Sequence, residues 1–146
     1  MNADRLSRLN EYLESVRHKP FAWGTHDCMT FANDCVRAQR GTGFADDWLG
    51  SYRTPKQCLA HYMRKLRSNN RLDIIDGMDH RLNRIMTTIP PRGSIVAKPV
   101  SNDEAFTGYA LGVAVSDLAA FVGPDGLNFM PIQGRDIFWS IYPCLL

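Results

Sequence analysis

The stretch PFAWGTHDCMTFANDCV, residues 20–36, sets a cysteine, Cys28, where a turn meets a predicted helix. A cysteine in the first helical turn is exposed to the positive end of the helix dipole and to unpaired backbone N–H groups, and both favour the thiolate. The thiolate is the nucleophile of cysteine hydrolases. Cys28 is therefore the candidate nucleophile of this chain.

A thiolate mechanism also needs a base that takes the thiol proton and later protonates the leaving group. His26 is the only histidine near Cys28 in the sequence, which makes it the candidate substitute base. Residues two positions apart at a helix entrance generally point in different directions, which argues against this role. The other histidines are interpreted as surface or boundary residues: His18, His61 and His80.

A structural interpretation of the same residues stays open beside the catalytic one. Cys28 has the size and polarity of a small apolar residue that fills a contact between a helix and a sheet, as free cysteines often do. Asp27 has the side chain of a helix N-cap. Phe21, Trp23 and Phe31 are the aromatic residues expected to pack around this joint.

The cysteines do not indicate a metal or a cofactor. Four cysteines, at positions 28, 35, 58 and 144, show no CxxC spacing and no nearby pair of histidines. We therefore predict no metal site and no cofactor, and we expect free thiols in a reducing compartment.

Length and charge set the class of protein. A chain of 146 residues with 45% hydrophobic content is predicted to form one domain. Seventeen basic against fifteen acidic side chains are too balanced for a protein that neutralises many phosphates, so no nucleic-acid partner is predicted. The first residues lack the apolar core of a signal peptide and no stretch is long enough to cross a bilayer, which predicts synthesis in the cytoplasm and no membrane span.

The N-terminal half has the periodicity of helices. We predict helices over residues 4–17, 27–39, about 55–67 and 79–86, the second ending at Gly41 and Gly43. The third begins with a capping box of Thr54 and Gln57, with Pro55 at its first position. Its predicted apolar face comprises Leu59, Tyr62, Met63 and Leu66.

The C-terminal half has the texture of short strands separated by turn residues. The runs are SIVAKPV, YALGVAVS, LAAFVG, LNFMPI and DIFWSIYP. Helices followed by strands predict an α+β domain in which N-terminal helices pack on a C-terminal antiparallel sheet. The single domain, 1–146, would comprise an N-terminal helix in residues 1–19, a helical part in 20–90 and a sheet in 91–146.

The motif around Cys28 resembles that of papain-like cysteine peptidases of the NlpC type, which are bacterial and phage cell-wall hydrolases. The matching residues are Phe21, Trp23, Gly24, Asp27 and Cys28. RGSIV at 92–96 is similar to the start of a strand in that family, and ALGVAVSD at 110–117 is similar to the strand that carries its catalytic histidine. The resemblance implies a papain-like, NlpC-type fold.

The family's histidine is missing, because Ala110 stands at the position aligned with it and no histidine follows His80. Loss of a positioned base lowers the rate of such a reaction by orders of magnitude. The resemblance therefore implies an NlpC-like domain that is catalytically degenerate.

A short branch of NlpC-like proteins encoded among the tail genes of tailed phages resembles this chain further. The shared positions are Ala119, Ala120, Phe121, Gly123, Gly126, Leu127 and Trp139. This resemblance implies a tail-tip or baseplate component, made in the host cytoplasm and carried in the virion, with other tail proteins as partners. Two alternatives are an active cysteine endopeptidase or amidase that cleaves peptidoglycan during entry, and a binding module that uses the old substrate groove.

Two surfaces are expected to meet the partners. The apolar C-terminal residues must fold into the core or be covered by another chain: Ile137, Phe138, Trp139, Ile141, Leu145 and Leu146. The loop around Trp48 is the second expected contact. The basic stretch from Arg64 to Arg84 is interpreted as a solvated helical face, with docking of an acidic neighbour as the alternative.

Overall fold

The computed structural model describes residues 2–100 and 108–142, with side chains from residue 4 onward. The helices are α1 (Asn2–Ser15), α2 (Cys28–Arg40), α3 (Pro55–Ser68) and α4 (Ile74–Asp79). The strands are β1 (Asn83–Ile85), β2 (Ile95–Pro99), β3 (Tyr109–Ala114), β4 (Leu118–Gly123), β5 (Gly126–Pro131) and β6 (Ile137–Ser140).

The strands form one antiparallel sheet in the order β1-β6-β2-β3-β4-β5. Its centre is set by Ile95 of β2, which pairs with Val113 of β3 on one side and with Trp139 of β6 on the other. The predicted α+β architecture, with helices packed against an antiparallel sheet, is confirmed. The prediction that residues 109–114 form a strand is confirmed as well.

Alternation along the strands divides the apolar side chains between the two faces of the sheet. The face under the helices carries the main core, which includes Ile95, Leu111, Val113 and Trp139. The opposite face carries a smaller cluster of buried residues, here called the second cluster: Val96, Ala114, Ala119, Phe121 and Phe138. Both faces of the central strands are therefore buried.

The connection from β5 to β6 leads from one edge of the sheet to a strand on the far side of β2. Along this connection Ile132 packs against the second cluster. The Lys98 ammonium of β2 donates to the Pro131 carbonyl at 3.1 Å and to both carboxylate oxygens of Asp136 at 3.1 and 2.9 Å. This buried ion pair fastens the connection to the sheet.

Local capping signals position the helix ends. Gly41 adopts a left-handed conformation (φ 88°) and ends α2, as predicted. Thr54 caps α3, with its hydroxyl accepting from the Gln57 N–H at 3.1 Å. The predicted capping box is incomplete, because Gln57 accepts from the N–H of Arg53 rather than that of Thr54.

The predicted apolar face of α3 is partly wrong. Tyr62 and Leu66 are buried, but Leu59 and Met63 are 43% and 48% exposed, and Cys58 is buried in their place. The packed residues are spaced by four, so the buried stripe of α3 is rotated from the predicted one toward Cys58.

The predicted helix over residues 79–86 is wrong. Asp73 caps a shorter helix, α4, by accepting from the Asp76 N–H at 2.8 Å, and α4 ends at Asp79. Residues 83–85 instead pair with β6. Pairing with a strand more than fifty residues away overrides the local helical pattern.

Part of the apolar C-terminal segment folds into the core, which is one of the two outcomes expected for it. Phe138, Trp139 and Ile141 are buried because β6 lies between β1 and β2. Trp48 is 1% exposed and belongs to the main core. Ile137 is partly buried against the main core, and Leu145 and Leu146 lie outside the described residues.

Among residues 2–100 and 108–142, no helix combines the length and apolarity that a bilayer span requires.

Replacing Lys98 by Met should destabilise the fold by about 3–5 kcal/mol, because it leaves the buried Asp136 carboxylate without its cation. The double variant Lys98→Met, Asp136→Asn should recover most of that loss, since the amide keeps an oxygen for the Gln133 N–H that now bonds Asp136 at 2.9 Å. Urea denaturation measures the free energy of unfolding of both variants.

Arg84→Gln, which breaks the exposed ion pair with Asp79, is the matched control and should lower the free energy of unfolding by less than about 1 kcal/mol. Equal losses for the Lys98 and Arg84 variants would contradict the assignment.

Candidate functional site

The turn before α2 closes through two backbone hydrogen bonds between Ala22 and His26, of 3.0 and 2.8 Å. Gly24 sits in this turn with φ 84°. A Cβ atom at Gly24 would also overlap the carbonyl oxygen of Tyr52. Only glycine meets both conditions, which explains the Trp-Gly part of the motif physically.

Asp27 joins this turn to α2. One carboxylate oxygen accepts from the Thr30 N–H at 3.0 Å and the other accepts from the Gly24 N–H at 2.9 Å. The Thr30 hydroxyl in return accepts from the Asp27 N–H at 2.7 Å, which completes a capping box. The predicted N-cap role of Asp27 is confirmed, and α2 begins at Cys28.

A pair of buried tyrosines extends this network to α3. The Tyr52 hydroxyl lies 2.6 Å from the Asp27 carboxylate and 3.0 Å from the Tyr62 hydroxyl. Since a carboxylate only accepts, Tyr52 donates to Asp27 and Tyr62 donates to Tyr52. Burial, followed by the charge of Asp27, raises the pKa of Tyr52 far above its ordinary range, so both hydroxyls stay protonated donors.

The electrostatics around Cys28 favour the thiol. Desolvation, followed by the negative charge of Asp27, raises the pKa of Cys28 from its ordinary value of 9.0 to about 12. A hydrogen bond from the backbone of Leu111 in β3 acts in the opposite direction and is too weak to offset them. The expectation that the helix start favours a thiolate therefore does not hold for this cysteine.

His26 is buried on another side of the joint. Its ring packs edge-on against Phe31, with 6.1 Å between ring centroids, and Phe31 in turn contacts Tyr12 of α1. Burial, followed by the charge of Lys19, lowers the pKa of His26 from its ordinary value. Its Nε2 atom has no hydrogen-bond partner in the part of the chain that the structure describes.

The remaining histidines have other surroundings. His61 contacts the Trp48 carbonyl through Nε2 at 2.5 Å and packs on Tyr62. His80 lies against Arg71, and His18 is exposed. Within residues 2–100 and 108–142, no hydrogen bond joins the Cys28 sulfur to an imidazole.

Ala110, which the motif resemblance aligns with the catalytic histidine of NlpC-type peptidases, lies on the other face of β3 from the Cys28 joint. Its side chain packs against the second cluster and it pairs with Lys98. Its neighbour Leu111, whose backbone bonds Cys28, belongs to the main core with Cys28. In this register a side chain at position 110 projects away from Cys28.

A cavity of about 490 Å³ opens between α1 and the strands β4 and β5, and Cys28 is not among the residues that line it. The apolar part of its lining comprises Leu13, Val115, Leu118, Leu127 and Phe129. The described residues contain no group of three or more His, Cys, Asp or Glu side chains that could hold a metal ion. Cys28, Cys35 and Cys58 are free thiols, and Cys144 lies outside the described residues.

Sequence reasoning did not identify Tyr52 as a partner of Asp27 and assigned Tyr62 only to an apolar face. Tyr52 follows α2 in a segment without regular structure, and no spacing rule connects it to Asp27 across 25 positions. The signal that was available is Gly24, because a glycine inside a motif indicates either a positive φ or a close backbone approach.

Burial of His26 should make the fold sensitive to acid. Because the pKa of His26 is lower in the folded chain than its ordinary 6.5, unfolding takes up a proton as the pH falls below about 6.5. Its contribution to stability is complete above that pH and is lost as the pH falls through the folded pKa. Below about pH 6.5, His26→Phe should reduce the slope of the free energy of unfolding against pH by up to about 1.4 kcal/mol per pH unit, as measured by urea denaturation. His18→Gln, at an exposed position, should leave the slope unchanged; an unaltered slope in His26→Phe would refute the assignment.

Alkylation of Cys28 should be slow at neutral pH because the thiolate is rare. Below a pKa of about 12 the rate should rise about tenfold per pH unit through the accessible alkaline range. Peptide mass spectrometry after iodoacetamide treatment follows this cysteine separately from the others. A rate that levels off below about pH 8 would reveal an activated thiolate and contradict the prediction.

Comparisons with known proteins identify the family. Neither the curated proteins nor the solved structures contain a match to this chain. Residues 2–141 match DUF6950, which is described as a domain of unknown function, and this match covers α1 to β6 together with the turn that precedes Cys28. The chain therefore belongs to the DUF6950 family.

Proposed function

We propose that this chain is a catalytically silent NlpC-like domain that serves as a structural or assembly subunit in the tail tip or baseplate of a tailed phage. The observation that carries the proposal is the surroundings of Cys28: it opens α2 as a hydrolase nucleophile would, yet burial and Asp27 raise its pKa to about 12 and, among residues 2–100 and 108–142, no imidazole is bonded to its sulfur. With a pKa of about 12, roughly one thiol in 10⁵ is ionised at pH 7.

The resemblance supplies the phage context. The aromatic, Trp-Gly and Asp-Cys positions of the NlpC motif have physical roles here, since Gly24 and Asp27 build the turn and the cap that hold Cys28. The order of parts, a cysteine-bearing helix followed by an antiparallel sheet, also agrees with that family. A scaffold that keeps the turn and the cap of the motif but lacks its base fits an assembly role.

We assign the partner contact to the outer side of α3. The α3 outer face consists of exposed residues at helical spacing: Lys56, Leu59, Ala60, Met63 and Arg67. It combines two apolar side chains, each over 40% exposed, with basic ends, and α3 contains no acidic residue. An apolar centre with a basic rim fits a neighbouring tail protein that presents an apolar patch bordered by Asp and Glu.

Edge pairing by β5 is a poorer candidate for this contact. The outward N–H of Leu127 already donates to the Arg17 carbonyl at 2.9 Å. The next two outward-facing positions of this edge are Phe129 and Pro131. Phe129 has a backbone N–H, but Pro131 has none. The edge is blunted against addition of another strand.

The active cysteine endopeptidase or amidase is the second candidate, favoured by the partial exposure of Cys28 at the start of α2. This function requires a general base next to the Cys28 sulfur, and among the described residues no imidazole is bonded to that sulfur. A binding module that uses the old substrate groove is the third, and the cavity of about 490 Å³ is not that groove, because Cys28 does not line it.

Virion incorporation and muropeptide hydrolysis separate these functions. Cys28→Ala should assemble into tails as the parent chain does, and the parent should release no more peptide from muropeptides than Cys28→Ala. Met63→Glu should reduce incorporation at least about tenfold, because it puts a charge in the apolar centre of the α3 outer face. Leu72→Glu, at a side chain 92% exposed outside this face, is the matched control.

Circular dichroism confirms that the compared variants are folded. Peptide release that depends on Cys28 would overturn catalytic silence. Normal incorporation of folded Met63→Glu would remove the α3 outer face as the contact.

A further inference from the structure

The cavity of about 490 Å³ between α1 and the strands β4 and β5 lies apart from the Cys28 joint. Among the described residues, none from 20–28 and none from α3 lines it, so this cavity is independent of the proposed function. Small-molecule sites have volumes of about 300 to 1,000 Å³. The cavity is therefore large enough for a small ligand.

One stripe of α1 and of the turn after it forms the first wall. Its members recur at helical spacing: Asn10, Leu13, Glu14 and Arg17. Leu13 is buried in the main core, which turns this stripe toward the sheet. The other three side chains are exposed and form the polar rim of the cavity.

The chain that follows α1 bounds the cavity at the start of β5. The Arg17 carbonyl accepts from the Leu127 N–H at 2.9 Å, and a Cβ atom at Gly126 would overlap the same carbonyl. Arg17 and Leu127 both line the cavity, so this contact is part of its boundary. Because the Leu127 N–H is already bonded, an extended peptide cannot add to β5 at this point as a further strand. The boundary favours a small molecule over a peptide strand.

The floor of the cavity is apolar and can be reached from solvent. Its side chains come from the sheet and from the turn after β3: Val115, Leu118, Leu127 and Phe129. Phe129 pairs with Ala120 of β4, whose methyl group is too small to cover the ring, and Phe129 is 49% exposed. The other three are partly exposed. A ligand with an apolar body would remove this surface from water.

Arg92 places a cation at the rim. Its Nη2 donates to the Asn10 side-chain oxygen at 2.6 Å. Both residues are exposed and line the cavity, so the guanidinium lies at the rim in contact with solvent. A guanidinium has five N–H donors, and among residues 2–100 and 108–142 the Asn10 oxygen is the one acceptor that the Arg92 guanidinium bonds. Arg92 therefore keeps donors for a ligand.

The charges around the rim do not cancel. Arg17 lies 3.7 Å from Glu14, and both are exposed, so these two form a weak ion pair. Arg92 forms no ion pair within the described part of the chain, and the lining thus carries two guanidinium groups against one carboxylate. A positive rim beside an apolar floor complements a ligand that has an anionic group and an apolar body. A carboxylate matches the planar guanidinium fork.

We propose that this cavity binds a small amphipathic carboxylate of the fatty-acid class. Its carboxylate accepts from the free N–H groups of Arg92, and its alkyl chain lies over Leu118 and Phe129. An alkyl chain suits a floor that extends across two neighbouring strands.

The test is a titration of the ¹⁵N-labelled full chain with sodium octanoate at constant ionic strength and pH 7, followed by amide NMR. The amide resonances of Leu118 and Phe129 should shift in a saturable manner. Leu59 and Met63 are the internal control, because they expose apolar side chains beside basic residues of α3 and lie outside the cavity. Their resonances should stay in place.

Two further probes separate the parts of the ligand. Octylammonium has the same chain and the opposite charge, and it should bind at least about tenfold more weakly than octanoate, because its head is a like charge to Arg92. 1-Octanol keeps the chain without a charge and should bind with an intermediate affinity. A peptide of Leu and Glu with both ends blocked represents an acidic protein segment and should not compete with octanoate.

Arg92→Gln should weaken octanoate binding about tenfold, since it removes a charged donor, and should leave the affinity for 1-octanol within about twofold. Arg67→Gln removes the same charge from an exposed position outside the cavity and should change either affinity less than about twofold. Phe129→Ala should weaken octanoate and 1-octanol alike, because both chains lose apolar contact.

Three results would overturn the proposal. The first is the absence of a saturable shift at Leu118 and Phe129 with octanoate, or an equal shift at Leu59 and Met63, which would show unspecific association. The second is equal weakening by the Arg92 and Arg67 variants, or octylammonium binding as tightly as octanoate. The third is saturation by the peptide alone, which would assign the cavity to a protein partner.

Discussion

The buried carboxylate of Asp27 is the constraint on which the rest of the joint depends. It is 1% exposed and accepts from the turn at Gly24, from the first turn of α2 and from the Tyr52 hydroxyl. A buried carboxylate without such donors would destabilise the fold by several kcal/mol. The positions of the turn, of α2 and of Tyr52 therefore depend on one another. The tyrosine pair extends the constraint to α3, because the Tyr62 hydroxyl must donate to Tyr52 once Tyr52 donates to Asp27.

The same carboxylate determines the chemistry of its neighbour. A helix start lowers the pKa of a cysteine through the dipole and the free N–H groups, but here one of those groups, the N–H of Thr30, is engaged by the Asp27 carboxylate. What Cys28 then meets is a desolvated position and an adjacent negative charge, and both raise its pKa. A strong cap and an activated thiolate are therefore in competition at this joint. A positioned imidazolium would change the balance, and the described residues bring none to the sulfur.

The features that could be predicted from the sequence are helix ends, which depend on residues close to one another along the chain. Asp27 as N-cap, Gly41 as the end of α2 and Pro55 at the start of α3 depend on residues within four positions, and all three are observed. The errors concern features decided by distant partners. Residues 83–85 become a strand because β6 pairs with them, and the face that α3 buries depends on where Tyr52 lies. The buried contacts of Trp48 likewise come from α3 and α4, which no local pattern could reveal.

The position of Ala110 shows how register limits an argument from aligned motifs. Matching short motifs assigns a residue to a place along a strand, but the chemistry depends on which face that residue occupies. Here residue 110 lies beside Lys98 over the second cluster, while Leu111 faces the core that contains Cys28. A histidine at position 110 would project beside Lys98, whose ammonium is already bonded to Asp136. Bringing an imidazole to the sulfur would require a shift of β3 by one residue, which would reverse every side chain of a strand buried on both faces. Among the described residues, the absence of an imidazole beside the Cys28 sulfur thus follows from the packing of the sheet as well as from the alanine at position 110.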